Sequence, residues 1–211
     1  TDGAPAALCA TVKNAGRGST THMFSVAFCV DGYAIGSAMV YGLASNSSRN
    51  VSVTWNARAG GHDLRAFVDS TFAVSESVES NNYRMSQLSV PYPELTIRNL
   101  RWAPALPFDG KQVYINVTVG NKGPGPTLYQ VPVWFWMDGV TLGTMGLEGG
   151  LAAGTEKNIS TKWTATPGHH ELRAAVDPEN GIPELDETNN SVFNWLDVPY
   201  PDLTLSNLAF T

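Results

Sequence analysis

Apolar and polar residues alternate along most of this chain, as they do in half-buried β-strands. In the clearest run every second residue is apolar and the residues between are polar: Val113, Ile115, Val117 and Val119 against Tyr114, Asn116 and Thr118. Turn sequences such as Asp31-Gly32 and Asp138-Gly139 separate the runs and are typical of two-residue β-hairpins. No segment has the 3.6-residue period of a helix. The pattern therefore predicts an all-β protein made of short strands.

This pattern occurs twice along the chain. VDSTFAVSESVESNN begins at Val68 and matches VDPENGIPELDETNN, which begins at Val176, at a spacing of 108 residues (176 against 68). A repeat of this length is a whole domain rather than a solenoid turn. About seven strands per repeat predict a β-sandwich. We therefore expect two tandem seven-stranded β-sandwiches, in residues 1–92 and 93–200, followed by residues 201–211.

The two repeats differ at their first strand. The second begins with PELTIRNLRW, residues 93–102, whereas the first has no such segment, because Thr1 aligns with Phe108. The chain ends with PDLTLSNLAF, residues 201–210, which has the apolar spacing of the leading strand: Leu203, Leu205 and Leu208 match Leu95, Ile97 and Leu100. The last residues therefore have a core face to bury.

Two arrangements would bury the apolar face of residues 201–211. Each would also place a strand beside the edge of a domain that otherwise lacks its leading strand and stays unpaired. Residues 201–211 could add a strand to the first domain of a neighbouring copy, which gives a head-to-tail filament. Alternatively, they could be the leading strand of a following domain in one longer chain. The predicted partners are copies of the same chain or adjacent repeats.

Composition and charge exclude several classes of function. The 211 residues are 43% hydrophobic and 15% charged, which is typical of globular domains, and the formal net charge of −6 argues against binding nucleic acid. No apolar run approaches the roughly 20 residues of a membrane span. The sequence contains no basic-plus-apolar signal peptide, so we expect a mature or excised segment. Low charge and many Ser, Thr, Asn and Gly residues favour an extracellular or cell-surface location.

Five Asn-x-Ser/Thr sequons support that location: Asn46, Asn50, Asn116, Asn158 and Asn189. A used sequon requires a solvent-facing asparagine in a secreted protein. The two-residue alternation turns Asn50, Asn116 and Asn158 outward, so we expect glycan on some of the five.

The order of motifs resembles the CARDB domain (cell adhesion related domain found in bacteria), which archaeal surface proteins also carry. The resemblance rests on a Pro-(Asp/Glu)-Leu strand, an Asn-x-Gly turn, an Asp-Gly hairpin, a tryptophan strand and a Val-Asp…Glu…Glu-x-Asn-Asn loop, and it covers both repeats. The first repeat departs from it with Phe72-Ala73, where Asn180-Gly181 stands in the second. The resemblance implies immunoglobulin-like seven-stranded sandwiches, a role in surface structure or adhesion, and no catalysis.

The acidic loop of the second repeat is a weak candidate for calcium. Its oxygen donors are Asp177, Asn180, Glu184 and Glu187. Calcium takes six to eight oxygen ligands, but the spacing is not that of an EF-hand. The alternative is that these side chains fold a long turn by hydrogen bonding to its backbone. No other cofactor is indicated.

Catalysis is not expected. Paired carboxylates could serve a glycosidase, but both repeats keep them within the same turn, which favours a structural role. His62 and His170 are equivalent positions beside the same strand. Neither His-Glu-x-x-His nor Gly-x-Ser-x-Gly occurs in the sequence.

Two tryptophans face away from the predicted core. Trp134 and Trp136 flank Phe135, so strand alternation exposes them unless another group covers them, and the first repeat has Ala27 and Cys29 in their place. Exposed apolar patches mark contacts or ligand grooves. The tryptophans could form an interface with another domain or subunit, or a platform that stacks on sugars.

Cys9 and Cys29 are the two cysteines of the chain. Strand alternation turns both outward, and in an immunoglobulin-like sandwich, which the resemblance implies, their strands would belong to different sheets. An internal disulfide would then exceed the Cα separation that a bridge allows, about 4.4–6.8 Å. An internal disulfide, free thiols and a bond between subunits all remain open.

The function predicted from these observations is an extracellular structural or adhesive module, a repeating unit of a cell-surface fibre or surface protein. The alternative is a carbohydrate-binding accessory segment of a secreted hydrolase.

Overall fold

The structure, a computed structural model, describes residues 3–209, in which every helix-or-strand element is a β-strand. The thirteen strands form two compact units, Thr1–Tyr92 and Pro93–Thr211. The prediction of an all-β fold with tandem sandwiches is confirmed. Each unit consists of two antiparallel sheets whose apolar faces enclose one core.

The second unit has all seven strands. They are β7 (Leu95–Ala103), β8 (Gln112–Asn121), β9 (Val131–Met137), β10 (Val140–Leu147), β11 (Glu156–Thr164), β12 (Gly168–Val176) and β13 (Ser191–Val198). One sheet has the order β11-β8-β7 and the other β10-β9-β12-β13. The alternating residues predicted to face inward on β8 are 0–1% exposed: Val113, Ile115, Val117 and Val119.

The first unit has six strands in the described residues. They are β1 (Pro5–Lys13), β2 (Thr20–Val30), β3 (Tyr33–Leu43), β4 (Ser48–Asn56), β5 (Gly60–Val68) and β6 (Tyr83–Val90). One sheet contains only β1 and β4, and the other has the order β3-β2-β5-β6. This order repeats the second unit except for one place: no strand corresponds to β7.

Both predicted hairpin turns are confirmed. Asp31-Gly32 joins β2 to β3 with φ angles of 51° and 84°, and Asp138-Gly139 joins β9 to β10 with φ angles of 50° and 78°. Positive φ at both central residues matches the right-handed twist of the strands, and Asp-Gly tolerates it.

Strand β7 completes the core of the second unit. It pairs with β8 over Leu95–Arg98 and Arg101–Ala103, with an irregularity between them. Asn99 lies in that irregularity with φ of 57°, a left-handed conformation that asparagine accepts more readily than most residues. The apolar residues of β7 are buried in the core at 0–8% exposure: Leu95, Ile97 and Leu100.

Residues 201–209 have no regular secondary structure, and each of them is exposed. Leu203, Leu205 and Leu208 are 93%, 85% and 82% exposed. Within the described range, no residue of this tail pairs with a strand of its own chain. Phe210 and Thr211, which the sequence places in the same segment, lie outside the described residues.

Candidate assembly interface and acidic loops

The outer edge of β1 has no partner among residues 3–209. In the second unit the equivalent strand, β8, lies between β11 and β7, whereas β1 pairs only with β4. The inward side chains of β1 are half-buried: Leu8, Ala10 and Val12. Their counterparts on β8 are 0–1% exposed. Equivalent residues on β1 and β8 therefore differ in burial, because β1 has no counterpart of β7 beside it in the described residues.

The facing sheet is open at the same place. In the second unit β7 also packs across the core on β12 and β13, and Ala174 and Val176 on β12 are fully buried. The equivalent residues on β5, Ala66 and Val68, are half-buried. We call the open position bounded by the β1 edge and by β5 the strand slot.

The acidic loop between β12 and β13 gathers three carboxylates. Ligand atoms of Asp177, Glu184 and Glu187 lie within 4.8 Å of one another. Two of these side chains fold the loop itself. The carboxylate of Asp177 accepts hydrogen bonds from the backbone N–H groups of Gly181 (3.1 Å) and Ile182 (2.7 Å), and Oε1 of Glu187 accepts one from the N–H of Glu184 (3.0 Å).

Glu184 connects the loop to the leading strand. Its Oε2 accepts a hydrogen bond from the backbone N–H of Leu95 at 2.5 Å, and its Oε1 accepts one from Nδ2 of Asn190 at 3.1 Å. Burial raises the pKa of this carboxyl from 4.5 to about 8, and the charges of Glu187 and Asp177 act in the same direction. The half-buried side chain of Glu184 thus links the acidic loop to the start of β7.

These contacts bear on the predicted calcium site. Of the four candidate ligands, Asp177, Glu184 and Glu187 converge, whereas Asn180 contributes its N–H to the backbone oxygen of Asp177 at 3.0 Å. Each carboxylate already accepts backbone or side-chain donors. This bonding matches the turn-folding alternative, and calcium binding stays a prediction.

The first unit repeats the loop without the strand contact. The carboxylate of Asp69 accepts the N–H groups of Ala73 (2.9 Å) and Val74 (2.8 Å), and Glu79 accepts the N–H of Glu76 (3.0 Å). The carboxylate of Glu76 accepts Nδ2 of Asn82, as Glu184 accepts Asn190. In the described part of the chain no backbone N–H donates to Glu76, and its side chain is exposed.

A histidine–aspartate contact in each unit was not predicted from the sequence. Nδ1 of His62 lies 2.7 Å from Oδ2 of Asp31, and Nε2 lies 2.7 Å from the backbone oxygen of Arg58. His170 makes the equivalent contacts with Asp138 (2.7 Å) and the oxygen of Thr166 (2.8 Å). Both contacts attach a hairpin turn to the neighbouring strand. The signal in the sequence was that Asp-Gly and His recur together in both repeats.

These contacts shift the pKa values of both partners. The hydrogen bond that His62 donates to the carboxylate of Asp31 raises the pKa of His62 and lowers the pKa of Asp31. Burial alone would lower the pKa of His170, but its hydrogen bonds to the Asp138 carboxylate and to the Thr166 oxygen outweigh burial and raise the pKa. Since both ring nitrogens face acceptors, each imidazole is bound best as the cation.

The two predicted surface tryptophans lie side by side on β9. Trp134 and Trp136 are half-buried, with ring centroids 5.8 Å apart, and the guanidinium of Arg173 lies 5.4 Å from the ring centre of Trp136. Each tryptophan covers part of the other, which explains why they are less exposed than strand alternation alone predicts. Their role as an interface stays a prediction.

The cysteines and sequons occupy the expected strands. Cys9 on β1 and Cys29 on β2 belong to different sheets and are free thiols. Four sequon asparagines are exposed: Asn46, Asn50, Asn116 and Asn158. Asn189 differs, because its Nδ2 donates to Glu94 at 2.6 Å and its Oδ1 is buried. Its side chain is therefore less available for glycan than the other four.

The fold and the comparison with known proteins together define the class as tandem β-sandwich repeats of one family. The CARDB family profile matches twice, over residues 1–86 and 92–194. The chain belongs to the CARDB family, which confirms the resemblance inferred from its motifs. No curated protein sequence matches significantly.

Solved structures of CARDB domains are similar to this chain. The CARDB domain of the PF1109 protein from Pyrococcus furiosus, in complex with di-metal ions, is 24% identical, and the match covers 54% of this chain and 100% of that one, with a TM-score of 0.48. A domain of a Methanosarcina acetivorans protein predicted to belong to the cell surface is 24% identical, and its match covers 51% and 92%, with a TM-score of 0.42. In the described residues of this chain, no helix is long and apolar enough to cross a membrane.

Proposed function

We propose that this protein is an extracellular structural module that assembles head-to-tail into a cell-surface fibre. In this assembly, residues 201–209 of one copy fill the strand slot of the first unit in the next copy. Two features carry the proposal. The first unit has an open slot where β7 lies in the second unit, and residues 201–209 are exposed and repeat the sequence pattern of β7. The role is mechanical and adhesive, without catalysis.

The tail matches β7 at the positions that matter for docking. Leu203, Leu205 and Leu208 correspond to the three core residues of β7, and Asn207 corresponds to Asn99 at the irregularity. An asparagine at that point fits the left-handed conformation that β7 adopts there. The tail can thus follow the same path along β1 that β7 follows along β8.

The expected energy of docking is favourable. Full burial of a leucine side chain contributes about 1.5–3 kcal/mol, and three exposed leucines are available. Strand addition also pairs the backbone groups along the β1 edge, which main-chain recognition of this kind uses for affinity. Ordering nine exposed residues opposes this gain. A heterologous contact of this kind propagates when its rotation does not close into a ring, which is the arrangement proposed here.

Sedimentation velocity of the full chain across a range of concentrations tests the proposal. We expect growing assemblies for the native chain and a single monomer species for Leu205→Asp, because a charge cannot enter the slot. Leu106→Asp is the matched control, since Leu106 is 86% exposed outside the tail. A native chain that stays monomeric at every concentration, or a Leu205→Asp chain that still assembles, would refute the proposal.

A disulfide trap tests the register of the docked strand. Arg101 pairs with Asn116 in the second unit, so Ala209 should lie opposite Cys9 of the next copy. Cα atoms of antiparallel partners are about 4.5–5.5 Å apart, which a disulfide can span. Ala209→Cys with Cys29→Ser should give an oxidation-dependent ladder, and Leu208→Cys, which faces the core, should not.

Carbohydrate binding is the second candidate, favoured by the adjacent rings of Trp134 and Trp136. Planar apolar rings on an open sheet face can stack on sugars. A glycan array probed with native protein and with Trp134→Ala would decide this. Glycan binding lost in the variant would support an accessory binding module, and absence of binding to any glycan would remove it.

A further inference from the structure

Three polar contacts hold the first residues of β7 in the second unit. The N–H of Leu95 donates to Glu184 at 2.5 Å, and the N–H of Glu94 donates to Oδ1 of Asn121 at 3.0 Å. The N–H of Lys122 donates to the backbone oxygen of Glu94 at 2.7 Å. The start of β7 is therefore hydrogen-bonded on one side to the end of β8 and on the other to the acidic loop.

The acceptor at the end of β1 is already in place in the first unit. Nδ2 of Asn14 donates to the backbone oxygens of Gly18 (2.8 Å) and Leu43 (3.0 Å), and Oδ1 accepts the N–H of Gly16 (3.0 Å). Asn121 makes the same three contacts, at 2.8, 3.1 and 3.0 Å. The side chain of Asn14 thus has the orientation that Asn121 has with a strand bound.

The remaining partners are present and unused. Glu76 is oriented by Asn82, as Glu184 is by Asn190, and no backbone N–H reaches it among residues 3–209. The N–H of Ala15, the counterpart of Lys122, has no acceptor in the same range. Asp202 and Leu203, the counterparts of Glu94 and Leu95, are exposed.

We propose that Glu76, Asn14 and the N–H of Ala15 form a preformed latch for the backbone of residues 202 and 203 from a second copy of this chain. The N–H of Leu203 donates to Glu76, the N–H of Asp202 donates to Oδ1 of Asn14, and the oxygen of Asp202 accepts from Ala15. This inference rests on the proposed function and adds to it the residues that select and align the incoming strand.

The latch adds a second constraint on the register of docking to the one that leucine burial imposes. A slip of one residue would turn every leucine of the tail away from the core. It would also place either Pro201, which has no N–H, or the wrong donor opposite Asn14. The latch therefore favours the register in which the N–H groups of Asp202 and Leu203 face Asn14 and Glu76.

A double-mutant cycle on peptide binding tests the latch. The acceptor is the full chain carrying Leu205→Asp, whose own tail cannot dock, and the probe is a fluorescent acetylated peptide PDLTLSNLAFT. A second peptide carries an N-methyl group on the leucine that corresponds to Leu203, which removes only that N–H. Four dissociation constants are measured by anisotropy, with and without Glu76→Ala in the acceptor.

We expect Glu76→Ala to weaken binding of the unmodified peptide at least tenfold, and to change binding of the N-methyl peptide little. Thermal unfolding of both acceptors checks that Glu76→Ala leaves the first unit folded. If the peptide binds equally to both acceptors, or if Glu76→Ala weakens both peptides by the same factor, the latch is wrong while strand docking stands. If the unmodified peptide does not bind, both proposals fail.

Discussion

The two units of this protein have the same strand order and the same turns, yet they bury their cores to different extents. Val117 on β8 is 1% exposed, whereas the equivalent Ala10 on β1 is half-buried. The difference follows the seventh strand, which is present beside β8 and absent beside β1 in the described residues. In the described residues, the closed core of the second unit therefore includes β7, which has no counterpart in the first unit.

The acidic loops extend the comparison to polar contacts. Glu184 and Glu76 both lie on loops folded by an aspartate and a second glutamate, but only Glu184 has a strand N–H to bind. The acceptor of this contact is therefore present in the first unit, without a strand N–H bound to it in the described residues.

The largest effect is expected from shortening a core side chain of the leading strand. Ile97→Ala should destabilise the second unit by about 2–5 kcal/mol, because it leaves a cavity in a closed core. Leu205→Ala, at the equivalent position, should leave both unfolding transitions of dilute protein unchanged, because Leu205 is 85% exposed. Chemical denaturation followed by tryptophan fluorescence measures both. A clear destabilisation by Leu205→Ala would show that the tail packs on its own chain.

A smaller effect is expected when the tail is supplied as a peptide. Saturating PDLTLSNLAFT should raise the melting temperature of the first unit, since a ligand at one hundred times its dissociation constant stabilises by about 2.7 kcal/mol. The second unit, whose slot holds β7, should not respond. The control peptide replaces the fifth residue with aspartate. Equal stabilisation of both units would mean that the peptide does not recognise the slot.

The pH dependence should distinguish the units through Glu184. Its pKa is raised from 4.5 to about 8 in the folded protein, so its contribution to stability is fully present below about pH 4.5 and is lost as the pH rises through about 8. The melting temperature of the second unit should fall over this range, and Glu184→Gln should reduce the fall. Both units carry the histidine–aspartate contact, so its effect is common to both.

If the melting temperature of the second unit falls as steeply with pH in Glu184→Gln as in the native chain, relative to the first unit, Glu184 is not the group responsible. Calorimetric melting curves at intervals between pH 5 and pH 9 provide the measurement.

Glycan occupancy should follow exposure rather than sequence motif. Asn50 and Asn158 are equivalent, exposed positions on β4 and β11 and should carry sugar with similar frequency. Asn189 should stay unmodified, because Glu94 holds its Nδ2. Mass spectrometry of peptides from native material reads each site separately. Sugar at Asn189 with bare Asn50 and Asn158 would contradict this assignment.

The smallest effect is expected from calcium. The oxygens of Asp177 accept two backbone N–H groups, as those of Asp69 do in the first unit. We therefore expect a chelator and added calcium to leave both melting transitions unchanged. A calcium-dependent rise confined to the second unit would instead establish the site at Asp177, Glu184 and Glu187.

Much of the fold was predictable because it depends on short-range patterns. The alternation along residues 113–119 identified a strand and its inward face, and Asp-Gly identified both hairpins with their left-handed residues. The converging carboxylates of the acidic loop were also predictable, because they lie within a dozen residues of each other. The contact between Glu184 and Leu95 was not, since it joins residues far apart in sequence through a strand order that local patterns do not encode.

By itself, the sequence determined that this chain contains two copies of one β-sandwich and that the second copy has a leading strand. It also determined that residues 201–210 repeat the pattern of that strand. Duplication and two-residue alternation are sufficient for those conclusions. The tertiary structure alone decided that Leu8 and Ala66 border the same open slot and that Asn14 already has the orientation of a strand-bound asparagine. It also decided that Asp31 meets His62. Contacts between sheets and between distant loops depend on how strands order in space, and that order is set by packing of the whole unit.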